Sequence, residues 1–130
     1  MQGCQNASPE ELLQAIEEFN GGHWYECHET LEELWVGEKG ELRSFYQGVL
    51  QIAVALYHWR NGNFKGALHL LIKGAGCLEG VSPVCREVDV ARLVADAGRM
   101  QEALAALGEQ RMAELPQRMI PRLHQVKPSP

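Results

Sequence analysis

No uninterrupted apolar stretch in this 130-residue chain reaches the ~20 residues of a bilayer span, so no membrane-crossing helix is expected. No Cys-x-x-Cys pair occurs either. The four cysteines, Cys4, Cys27, Cys77 and Cys85, are widely spaced, which speaks against a zinc ribbon or a redox motif. The first residues hold no basic run and no apolar core of a signal segment, so a reducing cytoplasm is the expected setting and Cys4 reads as an exposed thiol. A basic stripe interleaved with aromatics is also missing, and an acidic front end repels phosphates, so nucleic acid is not an expected partner. There is no glycine-rich phosphate loop, and no serine or cysteine stands in a recognisable nucleophile setting. Positive charge is scarce at the front: residues 1–42 carry ten glutamates against Lys39 alone, whereas residues 43–130 carry eleven Lys and Arg against seven acids. The overall charge of -5 therefore conceals two parts that attract each other. The last twenty residues, with Arg111, Arg118, Arg122 and Lys127, are expected to lie across the acidic N-terminal helices.

What is present reads as helix throughout. With 45% hydrophobic residues, the chain is long enough to bury a core as one domain, 1–130, without staples. A flexible leader is expected over residues 1–7, followed by Ser8-Pro9-Glu10-Glu11, an N-cap, a first-turn proline and a glutamate in capping-box spacing. Helix 1 carries Leu12, Leu13, Ile16 and Phe19 at helical spacing and ends at Asn20-Gly21-Gly22. Helix 2 runs from Trp24 to about Val36, and helix 3, the most hydrophobic, from about Glu41 to Arg60. Gly62 suits a left-handed C-cap and Asn63 an N-cap, which opens helix 4 as far as about Glu79. Ser82-Pro83 announces a helix 5 ending near Gly98, and a helix 6 with Met100, Ala103, Leu104 and Leu107 follows. Pro116, Pro121, Pro128 and Pro130 then forbid a long helix, leaving a tail over 116–130 that Met119, Ile120, Leu123 and Val126 pack onto the body, with the last residues frayed.

The most informative stretch is residues 20–35. On a helical wheel Trp24, Cys27, Leu31, Leu34 and Trp35 form one apolar arc, and His28 falls inside it. Glu32, one turn on, lies at the edge beside Tyr25, while Glu26, Glu29 and Glu33 face solvent. A histidine in packed surroundings needs a partner, since an unpaired buried polar group costs about 1–3 kcal/mol, and Glu32 is the local candidate. Helix 3 has one narrow polar strip, Gln47, Gln51 and His58, flanked by Gly48 and Ala55, which are small enough to admit another helix. Either the strip faces helix 2, so that Gln47 or Gln51 joins His28 and Glu32 in a buried network, or it points at water.

An internal regularity bears on architecture. Gly62-x-Phe64-x-x-Ala67-Leu68 recurs as Gly98-x-Met100-x-x-Ala103-Leu104 and, more weakly, earlier as Gly22-x-Trp24-x-x-Cys27-His28. This is the grammar of tetratricopeptide-like helical hairpins, though any short hairpin favours the same residue types. The expectation is an all-α bundle of five to six helices arranged as antiparallel hairpins.

Phe19-Asn20-x-Gly22-x-x-Tyr25-Glu26-x-His28-Glu29-x-Leu31-Glu32-x-Leu34-Trp35, then Phe45 to Gln51, Ala53 to His58, and Gly62-Asn63-x-x-Gly66-Ala67, together resemble the family catalogued as domain of unknown function 309. The resemblance covers residues 19–72. It implies a small all-helical protein of bacteria, archaea or plastids, and it brings no activity, substrate or cofactor with it.

Two functional readings stand. The leading one is a cytoplasmic binding or scaffold module that takes a protein or small-molecule partner, needs no cofactor and contains a polar network of Trp24, Tyr25, His28, Glu32, Trp35, Tyr46, Gln47, Gln51 and His58. The alternative is an enzyme or metal-binding protein using His28 and Glu32 as acid/base pair or ligands in a pocket lined by Trp24, Tyr25, Trp35 and Tyr46. His28-Glu29-x-x-Glu32 resembles the zinc-protease helix but lacks its second histidine, so a metal would need His58 as well. The paired Glu-x-x-His motifs of a di-iron bundle are absent. Trp59 is a candidate contact for a homodimer. A pocket open to both His28 and Glu32 favours the alternative, and a sealed network favours the leading reading.

Overall fold

The computed structural model describes residues 3–127, so the fraying expected of the final residues lies outside the described part. Five α-helices form: α1 (Glu10–Asn20), α2 (Trp24–Val36), α3 (Gly40–Arg60), α4 (Phe64–Leu78) and α5 (Val90–Leu107). A two-stranded hairpin, β1 (Val84–Cys85) with β2 (Val88–Asp89), precedes α5, and 3-10 turns over Glu109–Glu114 and Gln117–Met119 follow it. The protein is thus an all-α bundle in which each α-helix packs on the next along the chain. Leu12, Phe19, Leu31, Phe45, Ile52, Leu56, Leu71, Leu93 and Leu104 meet in one continuous core.

The turns between helices obey local rules. Gly22 and Gly62 take left-handed φ values of 80° and 79°, a conformation glycine adopts without steric cost. Asn63 caps α4 by accepting from the Gly66 amide at 3.0 Å. The third glycine of the repeat behaves differently. Gly98 lies inside α5 with nothing within 4 Å of where a Cβ would stand, so the expected helices 5 and 6 are one helix that runs through it. That helix starts late, capped by Asp89, which accepts from the Arg92 amide at 2.9 Å. Pro83 sits in the preceding loop, where its carbonyl accepts from the amides of Val90 and Ala91.

Helices α3 and α4 cross at glycines. A Cβ on Gly48 would stand 2.5 Å from Leu78 Cγ and 3.0 Å from the Gly74 carbonyl oxygen, and one on Gly74 would stand 2.9 Å from the Gly48 carbonyl. Gly48 therefore admits α4, not α2. Next to this crossing Gln51 accepts from Cys77 Sγ at 3.5 Å, so this part of the helix 3 polar strip faces α4. At the start of α3, Glu41 accepts from both the amide and the hydroxyl of Ser82, and these bonds hold its carboxyl below the usual carboxylate range.

The N-terminal segment departs from the expected flexible leader and exposed thiol. Cys4 is only 4% exposed and is bonded to Cys85 across a sequence separation of 81 residues. Ser8 does not close a capping box. The first turn of α1 is capped by Pro9 with no side-chain bond, and the Ser8 hydroxyl donates to the Arg86 carbonyl. Arg86 and Glu87, at φ 52° and 67°, form the tight hairpin turn, and the backbone of Arg86 is buried against both Cys4 and Ser8. The C-terminal tail closes the same hairpin from its other side, with Asp89 N donating to His124 O and Val126 N to Glu87 O.

Candidate functional site

Helix α2 is preceded by its cap residue His23, whose carbonyl accepts from the Cys27 amide, and it turns Trp24, Cys27 and Leu31 inward as the wheel requires. Cys27 is wholly buried and donates to Ala15 O of α1 at 3.3 Å. Burial first, and the Glu18 carboxylate second, push its thiol well above the ordinary range, so it is an inert packing group. His28, one step round from this buried face, is at the rim. Its side chain is 29% exposed, that of Glu32 is 57% exposed, and His28 Nε2 stands 3.6 Å from Glu32 Oε2. This is a surface ion-pair distance and not a buried hydrogen bond.

The expected His-Glu-Gln network is therefore not formed. Gln51 turns to Cys77, and Tyr46, 1% exposed, is packed on Phe45 with ring centroids 5.2 Å apart. Burial raises the Tyr46 phenol above its ordinary range, outweighing the nearby Arg86 charge. Trp35 lies under the Arg43 guanidinium at 4.1 Å from its ring centroid, with its Nε1 buried and unpartnered. Neither aromatic side chain lines the space at His28. Gln47 is half-buried and takes no part in a His28 contact.

The structure instead brings His28 together with His58, which the sequence reading groups with it, and with Val54 and Tyr57 of α3, which it does not assign to the site. A pocket of about 220 Å³ is lined by Trp24, Tyr25 and His28 from α2 and by Val54, Tyr57 and His58 from α3. Four rings run across the groove between the helices: Tyr25 lies 5.9 Å from His28 and 5.6 Å from Tyr57, and Tyr57 lies 6.1 Å from His58. His58 is steadied from the far side by Asn63, whose Nδ2 is 3.3 Å from His58 Nδ1. Tyr57 and Val54 were missed as site residues. The signal was present, since Tyr57 lies one position before the flagged His58 and three after Val54, and these positions turn toward α2 once its face is known. Among the described residues, no three of His, Cys, Asp and Glu converge as a metal site would need, and the pocket touches His28 and His58 without Glu32. Trp59, offered as a dimer contact, donates its indole to Met112 O at 3.0 Å and so holds the 3-10 turn over Glu109–Glu114.

The fold and this groove define a small helical protein with an aromatic pocket at the rim of its second helix. Comparison with known sequences carries this further: residues 12–70 match the family model described as "Domain of unknown function (DUF309)", which bears out the resemblance read from residues 19–72. The chain is 31% identical over 104 residues to "Uncharacterized protein YpuF" of Bacillus subtilis (strain 168), an alignment covering 78% of this chain and 57% of that relative. It is also 36% identical over 53 residues to an "Uncharacterized protein" of Aquifex aeolicus (strain VF5), covering 40% of this chain and 16% of that relative. The matched chain thus spans little more than half of the first relative and a small part of the second. Among the described residues no helix is long and apolar enough to cross a membrane.

Proposed function

We propose that the protein is a binding module whose α2–α3 groove takes up a flat, ring-sized group of a small molecule. The observation that carries this is the solvent-reached aromatic pocket of Trp24, Tyr25, His28, Val54, Tyr57 and His58. Its volume, about 220 Å³, lies below the ~300–1,000 Å³ of pockets for drug-sized ligands, so one ring is the size that fits. Tyr25 is 51% exposed although its ring packs at a tilt against Tyr57, and such an uncovered aromatic beside a concavity supports a binding role. The pocket surface is almost wholly apolar, so His28 and His58 contribute ring faces and edges to it while Glu32 and Asn63 stand at ring nitrogens. The setting proposed with this reading is the cytoplasm. The Cys4–Cys85 bond weighs the other way, because disulfides are rare in reducing compartments.

The test is a titration of the ¹⁵N-labelled protein with neutral indole, followed by amide shifts. Saturable shifts at Tyr25, His28, Tyr57 and His58, lost in Tyr57→Ala, are expected. A map of shifts that leaves these four residues unmoved overturns the reading.

A further inference from the structure

A second cavity, of about 500 Å³, opens at the far side of Trp24, where the α1–α2 turn, the end of α3 and the C-terminal tail meet. It is lined by Phe19, Asn20, Gly21 and Gly22 from the turn, Trp24 and Trp59 as walls, and Ile120 and Pro121 from the tail, with Arg60 and Arg122 at its sides. Among the described residues no acidic side chain lines it.

The two arginines are held in place by backbone. Arg60 Nη1 donates to Gly22 O at 2.6 Å, and its guanidinium lies over Trp24 at 4.5 Å from the ring centroid. Arg122 Nη1 donates to Asn20 O at 3.2 Å. The tail that carries Arg122 is itself pinned by Asn20, whose side chain accepts from Leu123 N at 2.7 Å and donates to Leu123 O at 2.9 Å. Two positive groups are thus fastened to carbonyls two residues apart, and among the described residues neither forms an ion pair with a carboxylate. Each guanidinium keeps further N–H donors beyond the one its carbonyl uses.

We propose that this cavity binds a small organic oxyanion, with a carboxylate or phosphate group between Arg60 and Arg122 and an aromatic or apolar body against Phe19, Trp59 and Ile120. Guanidinium donors match either oxyanion in forked geometry, and the volume suits a single small metabolite. This site is separate from the α2–α3 groove and does not depend on the function proposed for it.

The test uses the full chain, ¹⁵N-labelled and in low salt, titrated with phenyl phosphate and with benzoate. Inorganic phosphate and phenol serve as comparators. The expected result is saturable shifts at Gly21, Gly22 and the indole signals of Trp24 and Trp59, with the Trp35 indole unmoved. Arg122→Gln should weaken binding about tenfold or more, the size of a lost charge-assisted hydrogen bond. Arg118→Gln removes the same charge from a neighbouring residue that does not line the cavity, and it should change binding less than about twofold. Tighter binding of phenyl phosphate assigns a phosphate ester, and tighter binding of benzoate assigns a carboxylate. Absence of saturation by ~10 mM, or equal weakening by Arg118→Gln, overturns the proposal. Because Arg60 also packs on Trp24, Arg60→Lys is compared with Arg60→Gln. If only the glutamine variant loses its native amide dispersion, the decision passes to Arg122→Gln, whose side chain is exposed and bonds one carbonyl.

Discussion

At the scale of single residues, His28 shows how far a helical wheel reaches. The wheel places His28 correctly next to Trp24, Cys27 and Leu31, but it has no way to say where the neighbouring helix stops. Because the packing covers Cys27 and Leu31 completely and His28 only partly, the histidine ends at the rim, 3.6 Å from a Glu32 that is itself mostly in water. Exposed pairs of this kind contribute about 0–1 kcal/mol. His28→Ala should therefore change stability by less than about 1 kcal/mol, as read by thermal melting. A loss of several kcal/mol would restore the buried-network reading. Cys27 makes the complementary point. Its place in the apolar arc predicts core, and core is where it lies, bonded to α1.

At the scale of elements, lengths and turns follow from local chemistry, while crossings do not. Helix α2 ends at Val36, α3 at Arg60, and Asn63 caps α4, all as the residue pattern demands. Gly48 was legible as a close-approach position, yet the partner read for it was α2 and the partner found is α4, because Gly74 supplies the matching gap only on that side. Gly48→Ala tests this contact. Alanine is the better helix former by about 0.5–1 kcal/mol, but its methyl would meet Leu78 and the Gly74 backbone, and overpacking of this kind costs about 1–3 kcal/mol or more. A net loss, seen as a lower urea midpoint with an unchanged slope, is the expected outcome. A gain would mean that α3 and α4 can part without penalty. The β-hairpin went unread for a related reason: Arg86-Glu87 is not one of the glycine or asparagine pairs that announce a tight turn, and its left-handed backbone is held by Cys4, Ser8 and Val126 from far away in sequence.

At the scale of the whole molecule, both ends of the chain close on that hairpin, the N-terminal segment through Cys4 and Ser8 and the tail through His124 and Val126. A disulfide across 81 residues removes much of the freedom of the unfolded chain, and about 2–4 kcal/mol is the usual size of the effect. Reduction, or Cys85→Ser, should lower the unfolding free energy by that amount, read as a lower denaturation midpoint. Alkylation of unfolded protein taken directly from cells reports the setting at the same time. Modification of Cys27 and Cys77 alone means that the bond persists there, and modification of all four cysteines means a reducing compartment. Among the described residues the charge asymmetry forms no ion-pair seam between the tail and the N-terminal helices. The tail reaches the end of α1 as the charge asymmetry suggests, yet Arg122 meets the Asn20 carbonyl and Arg111 pairs with Glu114 beside it. The amino-acid order by itself determined the all-α class, the spans of the first four helices and the Asn63 cap of α4, because these depend on the helical period and on glycine and asparagine at turns. Only the tertiary structure decided which cysteines meet, which face of α3 receives α4, and that Tyr57 completes the pocket at His28. Each of these depends on distances between residues far apart in the chain, and a helical period contains no information about them.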